Sequence, residues 1–258
     1  MNGSTSNGVV GFNVENARRT ADSLNASFNA FYDLIDGAMF TLAGLIFTDG
    51  DFGGRGVGGP VAKSYGWYAP EAVQFDDNVF TPKRLELINN MHKLYVDVYE
   101  KVENSIIKWA QTTGVENVSI TRFTRTVMKG QGTLHPDAKN SDANGNVRIS
   151  PDLAELIASK KREIMNSYSE RGTEIVDFLR GTESFIGAGQ QSTLISNISK
   201  MLDVVEKEII AVYDQAIKGV NASIQKYTSI AKQVAGSFGG SPTSSASGST
   251  SNSFNTII

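Results

Sequence analysis

The chain has 258 residues, a formal net charge of −3 and no cysteine. Its length is enough to bury a substantial core. The charge balance, with bases interleaved among acids, argues against an electrostatic nucleic-acid binder. The absence of cysteine excludes a disulfide framework, a thiolate zinc site and a cysteine nucleophile.

The opening "MNGSTSNGVVGF" has neither a basic region nor a long apolar run, so no ordinary secretory signal is expected. A flexible N-terminus over residues 1–12 leads into a first helix over about residues 13–47. Ala17, Ala21, Leu24, Phe28, Phe31, Ile35, Ala38, Leu42 and Leu45 alternate spacings of four and three. That is the seam of a helix packed lengthwise on a partner. The most apolar window, "AMFTLAGLIF" from Ala38 to Phe47, falls short of the roughly 20 residues needed to span a bilayer. It reads as a core-facing helix end, with an interfacial or membrane-inserting segment as the alternative. The Gly-rich "TDGDFGGRGVGGP" that follows cannot continue a helix.

The second helix is expected to start in or just after "APEAVQF", with an interruption at Pro82. It continues through Leu85, Ile88, Tyr95, Val98, Val102, Ile106 and Trp109 to about Gly114. Residues 115–149 form a polar insertion, in which "VENVSITRFTRTVMKG" alternates as a short strand or hairpin would. The third helix is expected from Pro151 to Arg180, with Ser150 as N-cap and Leu153, Ile157, Ile164, Ile175 and Phe178 inward. The fourth runs from about Gln190 to Val234. Its seam is Leu194, Ile198, Leu202, Val205, Ile209, Val212, Ala216, Val220, Ile224, Tyr227, Ala231 and Val234, and Gly219 is the expected weak point. Unbroken, it would reach roughly 65 Å. The Ser/Gly-rich tail over 236–258 is expected to be disordered.

The fold class expected is therefore all-α: an elongated four-helix bundle made of two long antiparallel hairpins, 13–114 and 150–235, with a small irregular or β insertion between them. Each hairpin carries an aromatic at its joint, Trp67 in the first and Phe185 in the second.

Chemical signatures fail on context. "GRGVGG" matches a dinucleotide fingerprint but follows a helix, with no βαβ unit around it. "DFG" at Asp51 stands without any other kinase element. Asn140, Asp142, Asn144, Gly145 and Val147 match positions one, three, five, six and eight of a calcium loop. Position twelve, which needs a bidentate Glu, is Pro151, and Asx residues with Gly are also ordinary turn chemistry. His92 and His135 have no second ligand at metal spacing. The pairs Asp76/Asp77 and Glu206/Glu208 read as solvated helix faces. Nothing builds a nucleophile–base–orienter set, so neither an enzyme nor a cofactor or metal site is expected. Trp67 and Phe75, eight residues apart, read as packing residues where two helices meet.

"GWYAPEAVQF" followed by a long amphipathic helix resembles the WXG family of ESAT-type substrates of type VII secretion. In that family a Trp-x-Gly turn joins two antiparallel helices, and an aromatic follows eight residues after the Trp. Trp67, Glu71, Ala72 and Phe75 match that pattern, and Ala69 stands where the family has Gly. "NVRISPDLAELIASKKREI" resembles the start of a family first helix, and Phe185 and Gly187 keep an aromatic-x-Gly in a second, degenerate copy. Together the likeness covers residues 13–114 and 147–235. Family members also carry a Y-x-x-x-[DE] export signal near the end of the second helix. Tyr99 and Glu103 fit that string inside the helix, as do Tyr32 and Asp36.

The resemblance implies a non-enzymatic protein, cytoplasmic before export and then secreted or cell-surface by a signal-peptide-independent route. It would act as a secretion partner, targeting module or extracellular structural component. Its partners would be another protein or itself, through helical surfaces, and the secretion machinery. Family members pair as single hairpins into four-helix dimers, and a tandem chain can satisfy that pairing internally. The alternatives are a membrane-active helical toxin or pore component, and a phage or filament structural subunit.

Overall fold

The computed structural model describes residues 5–6, 9–10, 13–47, 66–114, 147–182 and 188–237. Their fold is all-α, as expected, with four long helices. Helix α1 is Val14–Phe47. Helix α2 covers residues 70–112, in five successive stretches. Helix α3 is Leu153–Arg180 and α4 is Ala188–Ser237. The strands are two-residue pairs: β1 (Thr5–Ser6) with β2 (Val9–Val10), and β3 (Trp67–Tyr68) with β4 (Arg148–Ile149), both antiparallel.

The chain gathers into two compact units. Of the described residues, the first takes those up to 38, together with 83–114 and 162–209. The second takes 39–47, 66–82, 147–161 and 210–237. Both cores are built on the seams that the spacing predicts, because residues three and four apart share one face of a helix. In the first unit Ala17, Ala21, Phe28, Phe31, Ile35 and Ala38 of α1 are buried, as are Ile198, Leu202, Val205 and Ile209 of α4. In the second, Leu42, Leu45, Leu153, Ile157, Val212, Ala216 and Val220 are buried.

Several expectations change. Pro82 does not interrupt α2. The π stretch Asp76–Phe80 precedes it, and the Thr81 amide donates to the Asp76 carbonyl five residues back. The wider turn keeps the helix going past a residue that lacks an amide proton. A second π stretch, Tyr95–Tyr99, follows further along the helix. Met91, Leu94 and Tyr99 are buried beside the expected Ile88, Val98, Val102 and Ile106, while Leu85, Tyr95 and Trp109 are only half-buried. Asp76 is not solvated: it is 2% exposed, and its carboxylate accepts a 2.8 Å hydrogen bond from the Thr81 hydroxyl. Helix α4 runs unbroken through Gly219.

Ser150 is not the helix cap expected of it. Helix α3 starts later, with the Leu156 amide donating to the Asp152 carbonyl, and the Ser150 amide donates to the Gly66 carbonyl instead. The short strand Arg148–Ile149, at the end of the polar insertion, pairs with Trp67–Tyr68. The last seam positions of α4, Ala231 and Val234, are exposed rather than inward.

Several expectations fall outside the described residues. They are the joint residues Phe185 and Gly187, the Gly-rich stretch over 48–60 and the strand or hairpin over 115–130. The calcium-like Asn140–Gly145, His135 and the tail after residue 237 lie outside them too. His92 is exposed on α2.

Candidate functional site

The stretch Gly66–Phe75 forms a hub in the second unit. It begins where the chain passes over the last turn of α1. A Cβ at Gly66 would stand 2.3 Å from the Ile46 carbonyl oxygen and 2.4 Å from that of Leu45, so only glycine fits this approach. From there Trp67 and Tyr68 pair with Ile149 and Arg148, and the Gly66 carbonyl accepts from Ser150 at 3.2 Å. Ala69 is extended at φ −159°, and Pro70 opens α2 with its pre-set φ and a missing amide proton that the first turn does not use. Three chain segments are joined within a few residues.

Trp67 adds the fourth. Its side chain is 3% exposed and rests on α4 at Gly219. A Cβ on Gly219 would lie 2.3 Å from the indole Cη2 and 3.0 Å from Cζ2. One turn further along, the Ser223 hydroxyl accepts a 3.0 Å hydrogen bond from the indole Nε1. Both groups are buried, so each satisfies a polar atom that would otherwise be costly to remove from water. Gly219 and Ser223 together make a notch shaped for one indole. Phe75 stacks obliquely on Trp67 with ring centroids 5.6 Å apart, and Phe80 continues the row at 6.3 Å from Phe75. Ala69 and Ala72 are buried against the same interior.

Glu71, in the first turn of α2, points the other way. It accepts 2.6 Å from Lys226 Nζ and 3.2 Å from the Tyr227 hydroxyl. Partial burial pushes its carboxyl upward, but the Lys226 hydrogen bond and charge outweigh that and hold it below the ordinary value. The same contact raises Lys226. Tyr227 is raised first by burial and then by the Glu71 charge.

The other predicted string lies in the first unit. Tyr99 is 1% and Glu103 3% exposed, both inside the packed interior. Burial, then the nearby Glu103 charge, pushes the Tyr99 hydroxyl far above its usual range. Tyr99 stacks on Tyr95 at 5.1 Å, and Tyr95 reaches Phe28 at 5.8 Å. Tyr32 is buried, and Asp36 pairs at 3.2 Å with Arg84, itself buried. The structure therefore brings Trp67, Ala69 and Phe75 together around one notch, and it places Tyr99 and Glu103 apart from them in the other unit.

Sequence reasoning missed Gly219, Ser223, Lys226 and Tyr227 as partners of the hub. The signal was faint: a glycine inside a strong helical seam, with a small polar residue four positions on. Among the described residues no group of three or more His, Asp or Glu is placed to hold a metal ion. No described helix is long and apolar enough to cross a membrane. No protein-family model, no curated protein and no solved structure matches the chain.

Proposed function

We propose that this chain is a non-enzymatic helical protein of the WXG type. It leaves the cell through a type VII-like route and acts by presenting helical surfaces to a protein partner, as a secretion partner, targeting module or extracellular structural component. The observation that carries this reading is the use made of the Trp-to-Phe stretch. Trp67, Ala69, Ala72 and Phe75 are all buried where chain segments of the second unit meet. That is the role a hairpin-joining Trp motif calls for, and it supports a reading in which helical surfaces do the work. The burial of Tyr99 and Glu103 shapes the export part of the reading. A receptor would reach that string only after local opening, so recognition falls to exposed helix faces.

The membrane-active alternative draws less support. Ala38, Met39, Leu42, Ala43, Leu45 and Ile46 of the apolar window are all buried, so lipid would have to replace a packed interior.

The export reading is tested by following the full chain in culture supernatant with and without the secretion ATPase. Loss of the extracellular protein on ATPase deletion, with the cytoplasmic level kept, is the expected result. Unchanged export would overturn it.

A further inference from the structure

Helix α4 outlasts its own packing. Ser223 is its last buried residue, Ile224 and Tyr227 are half-buried, and every residue from Thr228 to Ser237 is exposed while still helical. These last turns are poor helix in their own right. At about 14 residues, the stretch 224–237 has a length at which an isolated helix is marginal even when rich in alanine. Tyr227, Thr228, Ser229, Ile230, Val234 and Gly236 are all weaker helix formers than alanine. The segment is helical because it continues a packed helix and so needs no nucleus of its own.

What reaches it from outside α4 is narrow. Among the described residues, every hydrogen bond and ion pair from elsewhere in the chain to residues 223–237 comes from Trp67 or Glu71. The two anchors differ in kind. The Trp67 indole is 3% exposed, sits on Gly219 and donates to the Ser223 hydroxyl at 3.0 Å. It is an uncharged stop, fixed in the interior. One turn further on, Glu71 accepts from Lys226 Nζ at 2.6 Å and from the Tyr227 hydroxyl at 3.2 Å. Lys226 Nζ also lies 5.0 Å from the centre of the Tyr227 ring. This second anchor is open to water and salt, since the Lys226 and Glu71 side chains are 54% and 26% exposed.

We propose that Glu71 is a releasable latch that sets where α4 ends. Latched, the helix is held through Tyr227, and its exposed turns continue from there to Ser237. Released, the ordered helix ends at the Trp67 seat, and the residues after Ser223 lose their helical hydrogen bonds. The shift moves the end of α4 by about 20 Å at 1.5 Å per residue. Because the latch is a charged contact at the surface, it is opened by rising ionic strength or by any ion that competes for Glu71 or Lys226. The Trp67 seat carries no charge and stays closed under the same conditions. The latch stands independently of the export reading, since it concerns only the contacts that hold the end of one helix.

The test is hydrogen exchange of the full chain, read amide by amide. The amides of residues 227–231, whose helical carbonyl partners lie on 223–227, report the latch. Those of 210–220 report the packed part of the same helix, and those of 235–237 its free end. Glu71→Gln and Lys226→Gln should each speed exchange at 227–231 by roughly two- to fivefold, the range expected for an exposed ion pair. Exchange at 210–220 should be unchanged, and at 235–237 nearly so. At about 0.5 M salt the unaltered chain should approach the variants, because the contact is screened. Using both variants separates the contact from the place of Glu71 in the first turn of α2, where a carboxylate favours the helix by itself. Failure of either variant to speed exchange at 227–231, acceleration spread equally over 210–220, or a difference undiminished by salt would each overturn the proposal. So would exchange at 227–231 in the unaltered chain as fast as in an unfolded peptide.

Discussion

In the unit made of residues 13–38, 83–114 and 162–209, the interior is a repeated seam. Phe31 lies 4.9 Å from Tyr168, the Tyr168 hydroxyl donates to the Leu202 carbonyl at 2.6 Å, and aliphatic residues fill successive turns on either side. In the unit made of residues 39–47, 66–82, 147–161 and 210–237, one indole organises the centre. Its ring occupies a gap that exists only because residue 219 lacks a Cβ, and its nitrogen donates to Ser223. The first design tolerates change because many similar contacts share the burden. The second concentrates its specificity in a few atoms, so a single methyl group in the wrong place is felt.

Trp67→Ala should produce the largest effect. It empties the notch and leaves Ser223 buried without the indole donor, at a cost of about 3–5 kcal/mol in urea unfolding followed by circular dichroism. A loss below about 1 kcal/mol, the size of an ordinary substitution, would mean that the second unit is held by its seam, like the first.

The glycines sharpen the contrast. At Gly37, in the first unit, an added Cβ would meet nothing within 4 Å, so Gly37→Ala should stabilise the protein by about 0.5–1 kcal/mol through helix propensity alone. Gly219→Ala gains the same propensity but drives a Cβ to 2.3 Å from the indole, and should destabilise by about 1–3 kcal/mol. Equal signs at the two sites, read from the same unfolding curves, would erase the distinction.

These cases also show what the sequence made legible. The α1 seam could be read directly, because its burial repeats at helical spacing from Ala17 to Leu45. The α2 seam could be read at Ile88, Val98, Val102 and Ile106, but not at Met91, Leu94, Tyr99 or Asp76. Each π stretch adds a residue to its turn, a change that no local pattern announces. Trp67 and Phe75 were identifiable as packing residues from their bulk and spacing. The seat of Trp67 was not, because Gly219 and Ser223 lie more than 150 residues away from it in sequence and no local pattern links them. Read locally, Gly219 is a weak point in a helix; in the fold it is the space the indole needs. The Glu71–Lys226 contact was hidden for the same reason, since a charged pair distant in sequence looks like two solvated side chains.

The smallest effect belongs to that contact. The carboxyl of Glu71 is held below its ordinary value in the folded chain. Its contribution is therefore present above the unfolded value of 4.5 and is lost as pH falls through the lower folded value. Glu71→Gln should lower the melting midpoint slightly at neutral pH, and the difference from the unaltered chain should vanish in acid. A difference that persisted undiminished at low pH would assign the effect to packing rather than to charge.

The most direct test of the account is to measure Gly219→Ala in two backgrounds, with Trp67 present and with Trp67→Ala. If the indole sits on Gly219, the two changes are strongly coupled. The account predicts that Gly219→Ala destabilises the chain when Trp67 is present and becomes neutral or stabilising when the indole is gone, because only the propensity gain remains. The same destabilisation in both backgrounds would contradict it.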